Sequence, residues 1–384
     1  MSSTVADHSP ALDLARRLNA EVLGPMKQSF VGKDEIIDLL GLCLVGGENL
    51  FLLGPPGTAK SALVHELAGR MGGRSFDYLL TRFTEPNELF GPFDIRKLRE
   101  GELMTNTEGM LPEASLVFLD ELLNANSAIL NSLLLALNER LFRRGKESRR
   151  MKTLMFVGAS NHLPEDEALK ALFDRFLLRV RSNNVAPEQL LSVLDAGWKL
   201  QRTEPLPAAT LHFEDIEALQ KLLPLVDLAS VRNPYAELMQ RIRHAGLAMS
   251  DRRAVKLQRL IAASALLCGR MEARLSDLWV LKHIWDTEEQ CEVLLSVVNG
   301  ALEKEAAAAG DHPRARAGEE ADAENLARDL QAIAEQLPKA DKTELAYLRD
   351  RLGILDSRCQ WVADQQQRDY LVQKIAELWK QFEG

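Results

Sequence analysis

Eight consecutive residues, Gly54-Pro55-Pro56-Gly57-Thr58-Ala59-Lys60-Ser61, have the types and spacing of a loop that wraps phosphate. Glycines let successive backbone amides turn inward toward phosphate oxygens, and a helix opening directly behind the loop adds its N-terminal dipole. Lys60 would reach the β- and γ-phosphates of a nucleoside triphosphate, and the Ser61 hydroxyl would ligate Mg²⁺. With Ala62 opening the helix, positions 54–62 are the candidate nucleotide contacts. Ala59 departs from the usual pattern, standing where a second obligatory glycine is expected. Its methyl group is small and Gly57 still supplies flexibility, so nucleotide binding is expected to survive.

A second element falls 60 residues after Lys60, where Leu116-Val117-Phe118-Leu119 runs into Asp120 and Glu121. An apolar central strand that ends in two acids puts carboxylates at the carboxyl edge of a sheet, where open α/β folds bind ligands. Asp120 would hold Mg²⁺ through its water shell, and Glu121 would orient and polarise an attacking water. The third element is Gly158-Ala159-Ser160-Asn161, after an apolar run at 153–157. The Asn161 amide there can bridge the attacking water and the γ-phosphate. Taken singly, the acids read as a helix N-terminus and Ser-Asn as a turn. Their order along one chain selects the catalytic reading.

These groups need a scaffold, and the hydrophobic pattern describes one. Short apolar runs at 50–53, 76–80, 116–119 and 153–157 alternate with helical segments such as 129–141. That alternation implies a parallel sheet covered by helices on both faces. From about Pro187 the strand signal ends, and 190–194, 216–223, 236–242, 253–267 and 277–285 show apolar spacing of three and four, the mark of an all-helical domain. Residues 303–324 hold no large apolar side chain, eight alanines, and seven acids against three bases, a composition that reads as a linker. Three amphipathic helices are then expected from Leu326, Leu330, Ile333 and Leu337, from Leu345, Leu348, Leu352 and Leu355, and from Leu371, Ile375, Leu378 and Phe382. The expected organisation is an α/β nucleotide-binding domain over 1–186, an all-helical domain over 187–302, a linker over 303–324 and a helical module over 325–384.

Composition narrows the function. The net charge of −9 and a pI near 5.5 argue against bulk electrostatic binding to nucleic acid or anionic membrane. Cys43, Cys268, Cys291 and Cys359 lie far apart with no CxxC pair, so neither a zinc site nor a disulfide framework is suggested. No stretch approaches the ~20 apolar residues that span a bilayer, and the first twenty residues lack the apolar core of a signal peptide. The chain reads as cytoplasmic. One local exception to the acidic balance is 140–152, with seven basic residues against the single acid Glu147. It is either a loop facing a client or partner, or a solvated hairpin with inter-subunit ion pairs.

The chain resembles the MoxR family of AAA+ ATPases, and more closely its RavA branch. The resemblance is carried by Gly54–Ser61, by Phe83-Thr84-Glu85-Pro86-Asn87-Glu88-Leu89-Phe90-Gly91-Pro92, by Gly109-Met110-Leu111-Pro112-Glu113-Ala114, by Phe118-Leu119-Asp120-Glu121, by the segment from Ile129 to Arg140, and by Ser250-Asp251-Arg252-Arg253. It covers about residues 10–300, and beyond 325 it suggests that branch's triple-helical domain without the inserted β-rich module. Alanine before the P-loop lysine is usual in this family. The resemblance implies ATP and Mg²⁺ as cofactors, an α/β P-loop AAA+ core with an all-α lid, and a homo-oligomeric ring, by family expectation a hexamer. It further implies partners bearing a von Willebrand factor A domain and a role in remodelling a protein client. Arg175, in Asp174-Arg175-Phe176, matches the arginine finger that reaches a neighbouring subunit's γ-phosphate, worth roughly 10³ to 10⁵ in rate in other NTPases. Arg252 matches the sensor-2 arginine of the lid, with Arg253 the near alternative, and Phe30, Val31 and Gly32 match the segment beside the adenine. Two other classes compete: a nucleic-acid-dependent motor, kept alive by Arg143 to Arg150, and a nucleotide-gated scaffold without turnover. Glu121, Asn161 and Arg175 together argue against the scaffold.

Overall fold

The computed structural model describes residues 9–202, 209, 211–302, 310–315 and 365–383, with scattered positions between 326 and 359. Its centre is a sheet of five parallel strands: β1 (Leu50–Leu53), β2 (Ser75–Leu79), β3 (Leu116–Asp120), β4 (Met155–Ser160) and β5 (Leu178–Arg181), in the order β2-β3-β4-β1-β5. β1, β4 and all of β3 before Asp120 are buried, as expected of strands covered on both faces. Helices Asp34–Gly46, Lys60–Arg70 and Ser127–Glu139 fill the connections and flanks. Asp34 and Glu35 occupy the first turn of the first of these, and Gly47 closes it in the left-handed conformation, an acidic start and glycine stop that suit a helix. The third starts at Ser127, because the Asn126 side chain accepts from the amides of Ala128 and Ile129 and caps it there.

Three elements differ from the pattern-based expectation. β4 does not end at 157; it continues through Gly158, Ala159 and Ser160, paired with Phe51, Leu52 and Leu53 of β1. The Gly-Ala-Ser run resembles a turn only by composition. A Cβ at Gly158 would stand 2.7 Å from Leu122 and 2.9 Å from Phe176, so small residues are there to let the sheet pack closely. β5 was not anticipated, because Arg179 and Arg181 interrupt its apolar character. Within the region expected to be purely helical, Leu211–His212 pairs with Met71–Gly72 as a short parallel ladder. The remainder of that region is helical: Leu190–Arg202, Phe213–Leu222, Ala229–His244, Asp251–Leu267 and Glu289–Leu302, with a 3₁₀ stretch at Leu275–His283. The 3₁₀ stretch is anchored by fully buried Asp277, which accepts from Arg270, Ser264 and the Arg274 amide.

The chain forms two compact units, 1–312 and 313–384. Of the expected linker, 303–309 and 316–324 lie outside the described residues. Residues 310–312 close the first unit: His312 stacks on Trp279 at 4.5 Å, Asp311 pairs with Arg274, and Arg270 donates to the Gly310 carbonyl. A count of apolar residues cannot register contacts of that kind. In the second unit Leu326, Leu330, Ile333, Leu348, Leu352, Leu355, Leu371, Ile375 and Leu378 are buried together with Cys359, which is the core the three-and-four spacing predicted. Leu345 and Phe382 fall on residues whose side chains are not described. All four cysteines are free thiols, and among the described residues no helix is long and apolar enough to cross a membrane.

Candidate functional site

The loop after β1 has the backbone its sequence demands. Gly57 and Ala59 both take positive φ, 82° and 68°, so Ala59 occupies the left-handed position that explains why glycine is the usual residue there. Gly54 is required for a different reason: a Cβ on it would stand 2.2 Å from the Ser182 carbonyl oxygen at the end of β5. Lys60 is buried, and its Nζ donates to the carbonyls of Gly54 (2.6 Å) and Pro55 (2.9 Å). The Thr58 hydroxyl donates to Pro55 O at 2.9 Å. Pro55 and Pro56 are the loop's exposed and rigid rim, and Ala62 lies in the first turn of the helix that follows.

Ser61 and Asp120 meet directly. The Ser61 hydroxyl donates to Asp120 Oδ2 at 3.1 Å, while Asp120 Oδ1 accepts the Glu121 amide at 3.0 Å. One hydroxyl and one carboxylate at the sheet edge fit Mg²⁺, which keeps most of its shell for water and phosphate oxygens. No group of three or more His, Cys, Asp or Glu side chains that could hold a metal ion is found among the described residues. Glu121 is held at φ 49°, ψ 42°, and among the described residues nothing bonds its carboxylate. Asn161 is exposed directly beyond β4, whose last residue, Ser160, pairs with Leu53 and accepts the Gly54 amide at 3.0 Å. P-loop, acid pair and Asn161 therefore share the carboxyl edge of the sheet, although Gly54 and Asn161 stand 107 residues apart in sequence.

The other expected residues stand around that edge. Phe30 and Val31 are half-buried after the helix Gly24–Ser29, and Gly32 turns at φ 70° against Val185 and Gln189. Arg175 is half-buried between the helix Glu167–Phe173 and β5. Its carbonyl accepts from Asn49 at 2.9 Å, and its Nε is buried without a partner among the described residues. None of its hydrogen bonds among the described residues reaches the phosphate loop. Arg252 is exposed in the first turn of Asp251–Leu267, with no ion pair or hydrogen bond among the described residues, whereas Arg253 is bonded to both oxygens of Asp286.

Two groups at the site were not anticipated from sequence. Lys33, immediately after Gly32, is buried, with its Nζ donating to Asn183 O (2.5 Å) and to the Ser182 hydroxyl (3.4 Å). Ser182 in turn donates to Thr58 O at 2.9 Å, so Lys33 and Ser182 buttress the phosphate loop from behind. Burial, and secondarily the nearby Lys60 charge, lowers the Lys33 pKa. A lysine before a helix and a serine after an unrecognised strand carry no local signal; only their positive-φ neighbour Gly32 was legible.

A five-stranded parallel sheet with a phosphate loop after β1, an acid pair closing β3 and an all-helical domain behind it defines the α/β P-loop core and α-helical lid of an AAA+ ATPase. Residues 16–221, more than half the chain, match the model of a family described as the MoxR domain in the MoxR-vWA-beta-propeller ternary systems, and residues 226–298 match an AAA lid domain. The chain belongs to the MoxR family of AAA+ ATPases. The first match includes the helix Leu190–Arg202 and all but the last residue of Phe213–Leu222, which the hydrophobic pattern grouped with the second domain. Two uncharacterized proteins of Methanocaldococcus jannaschii are each 34% identical to it, one over 274 residues that make up 70% of both chains, the other over 261 residues, 67% of this chain and 69% of that one. Chaperone MoxR1 of Mycobacterium tuberculosis is 25% identical over 51% of this chain and 52% of its own. A solved structure of a candidate ATPase from Cytophaga hutchinsonii superposes with a TM-score of 0.63 over 77% of this chain and 97% of that one, at 18% identity, a likeness of fold.

Proposed function

We propose that the protein hydrolyses ATP in a homo-oligomeric ring, by family expectation a hexamer, and uses the cycle to remodel a complex of partner proteins. The observation that carries the catalytic half is the Ser61–Asp120 contact beside Glu121. Ser61 and Asp120 would hold Mg²⁺, which when bound screens the β- and γ-phosphate charge. Lys60 would turn from the loop carbonyls to phosphate oxygens, and the amides of 54–62 would line the rest. Glu121 would accept the proton of an attacking water, with Asn161 orienting that water against the γ-phosphate. Arg175 of a neighbouring subunit would meet charge developing on the γ-phosphate, and Arg252 would report its presence to the lid. Phe30, Val31 and Gly32 would flank the adenine.

The partner half rests on kinship. The matched family is described by its co-occurrence with von Willebrand factor A and β-propeller proteins, and one relative bears the name chaperone. A protein with a von Willebrand factor A domain is therefore the first partner to try, with a further protein as client. Within the family, Ser250-Asp251-Arg252-Arg253 and the helical second unit favour the RavA-like branch. An ATP-driven remodeller of this kind works in the cytoplasm, where ATP is supplied. Mg²⁺-dependent phosphate release, measured across a protein dilution series with sizing of the same samples, tests the proposal. Turnover should follow the assembled species; its absence in an assembled ring would reduce the protein to a nucleotide-gated scaffold.

A further inference from the structure

The lid of the first unit is fastened to the sheet at one place by a charge arrangement that the hydrolysis reading does not use. Arg179, the second residue of β5, is completely buried. Its Nη1 donates to Asp286 Oδ1 (2.5 Å), to Trp285 O (2.7 Å) and to Ile284 O (3.4 Å), and its Nη2 donates to Phe173 O at 3.3 Å. The same carboxylate accepts from Arg253, at 3.0 Å and 3.2 Å through its two oxygens, and Arg253 also donates to Ile284 O. Asp286 is itself held by its amide, which donates to Gln290 Oε1 at 2.7 Å. Two residues further along β5, on the same face, Arg181 pairs with Glu288. The remaining acid is Asp174, 3.7 Å from Arg179 and mostly exposed.

Two guanidinium groups thus converge on one carboxylate, and the only other acid paired with the buried one among the described residues is the mostly exposed Asp174. Burial, with Arg253 adding to it, pushes the Arg179 pKa down to about 9 against the pull of Asp286. Such an arrangement is costly to open, because separating the groups leaves Arg179 buried with only the longer, solvent-exposed pair to Asp174. It also fixes a direction. Arg253 is in the first turn of Asp251–Leu267, and Arg252, its neighbour, points about 100° away around the helix. Whatever orients Arg253 therefore orients Arg252. β5 continues into Ser182, which touches Gly54 and donates to Thr58 O. The strand that anchors the lid is the strand that supports the phosphate loop.

We propose that Asp286 is a positioning residue that clasps Arg253 of the lid to Arg179 of the sheet and so leaves Arg252, not Arg253, to face the nucleotide. The clasp makes the lid's first turn and the phosphate loop parts of one frame. This inference rests on the ATPase reading of the site.

Asp286→Asn strips the counter-charge from Arg179 and can unfold the protein, so the primary variant is Arg253→Gln, which leaves the Arg179–Asp286 pair whole. The measurement is the preference for a slowly hydrolysed γ-thio ATP analogue over ADP, from the two dissociation constants, with melting midpoints alongside. Arg252→Gln should lower that preference about tenfold or more, the worth of a hydrogen bond between charged groups. Arg253→Gln should melt near wild type yet lower the preference about three- to tenfold, as a loosened first turn costs only part of such a bond. Arg253→Lys, which still reaches the carboxylate, should restore most of it; a merely structural arginine would show no such rescue at constant melting midpoint. An unchanged preference in Arg253→Gln overturns the clasp, and a larger loss in Arg253→Gln than in Arg252→Gln shows Arg253 to be the phosphate ligand and overturns it equally. Failure of the wild-type protein to bind either nucleotide would instead remove the ATPase reading. The clasp is then read from hydrogen exchange over 250–257 without nucleotide: faster exchange in Arg253→Gln supports it, and wild-type exchange overturns it.

Discussion

Glu121 combines the catalytic role proposed for it with a strained backbone, and substitution can separate the two. The residue lies at φ 49°, ψ 42°, a conformation that costs a non-glycine residue about 1–2 kcal/mol. Glycine adopts it freely but regains about 0.4–1 kcal/mol of conformational freedom in the unfolded chain. The carboxylate has no hydrogen-bonding or ionic partner among the described residues, so removing it forfeits no polar contact. Glu121→Gly should then stabilise the fold by about 0.5–1 kcal/mol net. For a unit of roughly 300 residues the unfolding entropy is about 0.6 kcal/mol per degree, so the melting midpoint should rise by about 1–2 °C. Glu121→Gln keeps the Cβ and the strain, and its midpoint should not move. Both variants should bind ATP as wild type and hydrolyse it at least about a hundredfold more slowly, because the carboxylate acts only as charge develops on water. Calorimetric melting, nucleotide titration and phosphate release on the same preparations give all three quantities. Near-normal hydrolysis in Glu121→Gln refutes the catalytic assignment; a Glu121→Gly protein that melts below wild type refutes the strain argument and shows the side chain to be structural.

Other substitutions act on the ground state, the loop geometry and the neighbour. Lys60→Ala should weaken ATP binding by about tenfold or more, since it removes a charged donor to phosphate, and titration with a fluorescent nucleotide would show it. Gly54→Ala forces a Cβ to 2.2 Å from the Ser182 carbonyl; backbone must shift, with a destabilisation of about 1–3 kcal/mol by denaturant melting and loss of nucleotide binding. Arg175→Ala chains mixed with Glu121→Gln chains should recover part of the activity that each lacks, because some interfaces join an intact Arg175 to an intact Glu121. Recovery that is absent while sizing shows mixed rings would place Arg175 outside the neighbour's site.

What the sequence showed of this site was what lies in unbroken runs. β1 and β3 are apolar throughout and end in groups that could serve only at a sheet edge, so Lys60, Ser61, Asp120 and Glu121 were legible together with the elements that hold them. The spacing in the second unit was legible for the same reason: a period of three and four survives without knowledge of partners. β5 was not, because Arg179 looks solvent-exposed until Asp286, 107 residues later, is brought against it. Lys33 is likewise a surface lysine by local pattern, and it becomes a buttress only through Ser182, 149 residues away. Burial of a charge is decided by long-range pairing, which hydrophobic periodicity does not encode.

The same distinction bears on the competing reading as a nucleic-acid motor, which rested on Arg143 to Arg150, within the basic segment 140–152. Among the described residues three non-glycines take positive φ, Ala59, Glu121 and Arg140; two are in the candidate nucleotide site and the third opens the hairpin Leu141–Arg144 and Glu147–Arg150. Arg140 turns inward from that position. Its guanidinium donates to Leu137 O and to Asn49 Oδ1, and it lies over the Phe156 ring at 4.8 Å, where burial lowers its pKa to about 10. Asn49 also bonds the Arg175 carbonyl and accepts the Phe156 amide, so Arg140 belongs to the framework around Arg175 rather than to a surface. Arg144 is occupied too, donating to Gly91 O and Asn87 and covering the Phe93 ring at 3.9 Å. Arg149 bonds Thr107. Arg143, Lys146, Arg150 and Lys152 are left as the exposed cations of the segment without such a tie, on a chain of net charge −9. Each phosphate neutralised contributes separately to nucleic-acid affinity, so the few cations of this one short segment give a weak, salt-dependent attraction. The hairpin is instead tied to the 87–107 segment through Arg144, Arg149 and Glu147, which accepts the Thr105 amide.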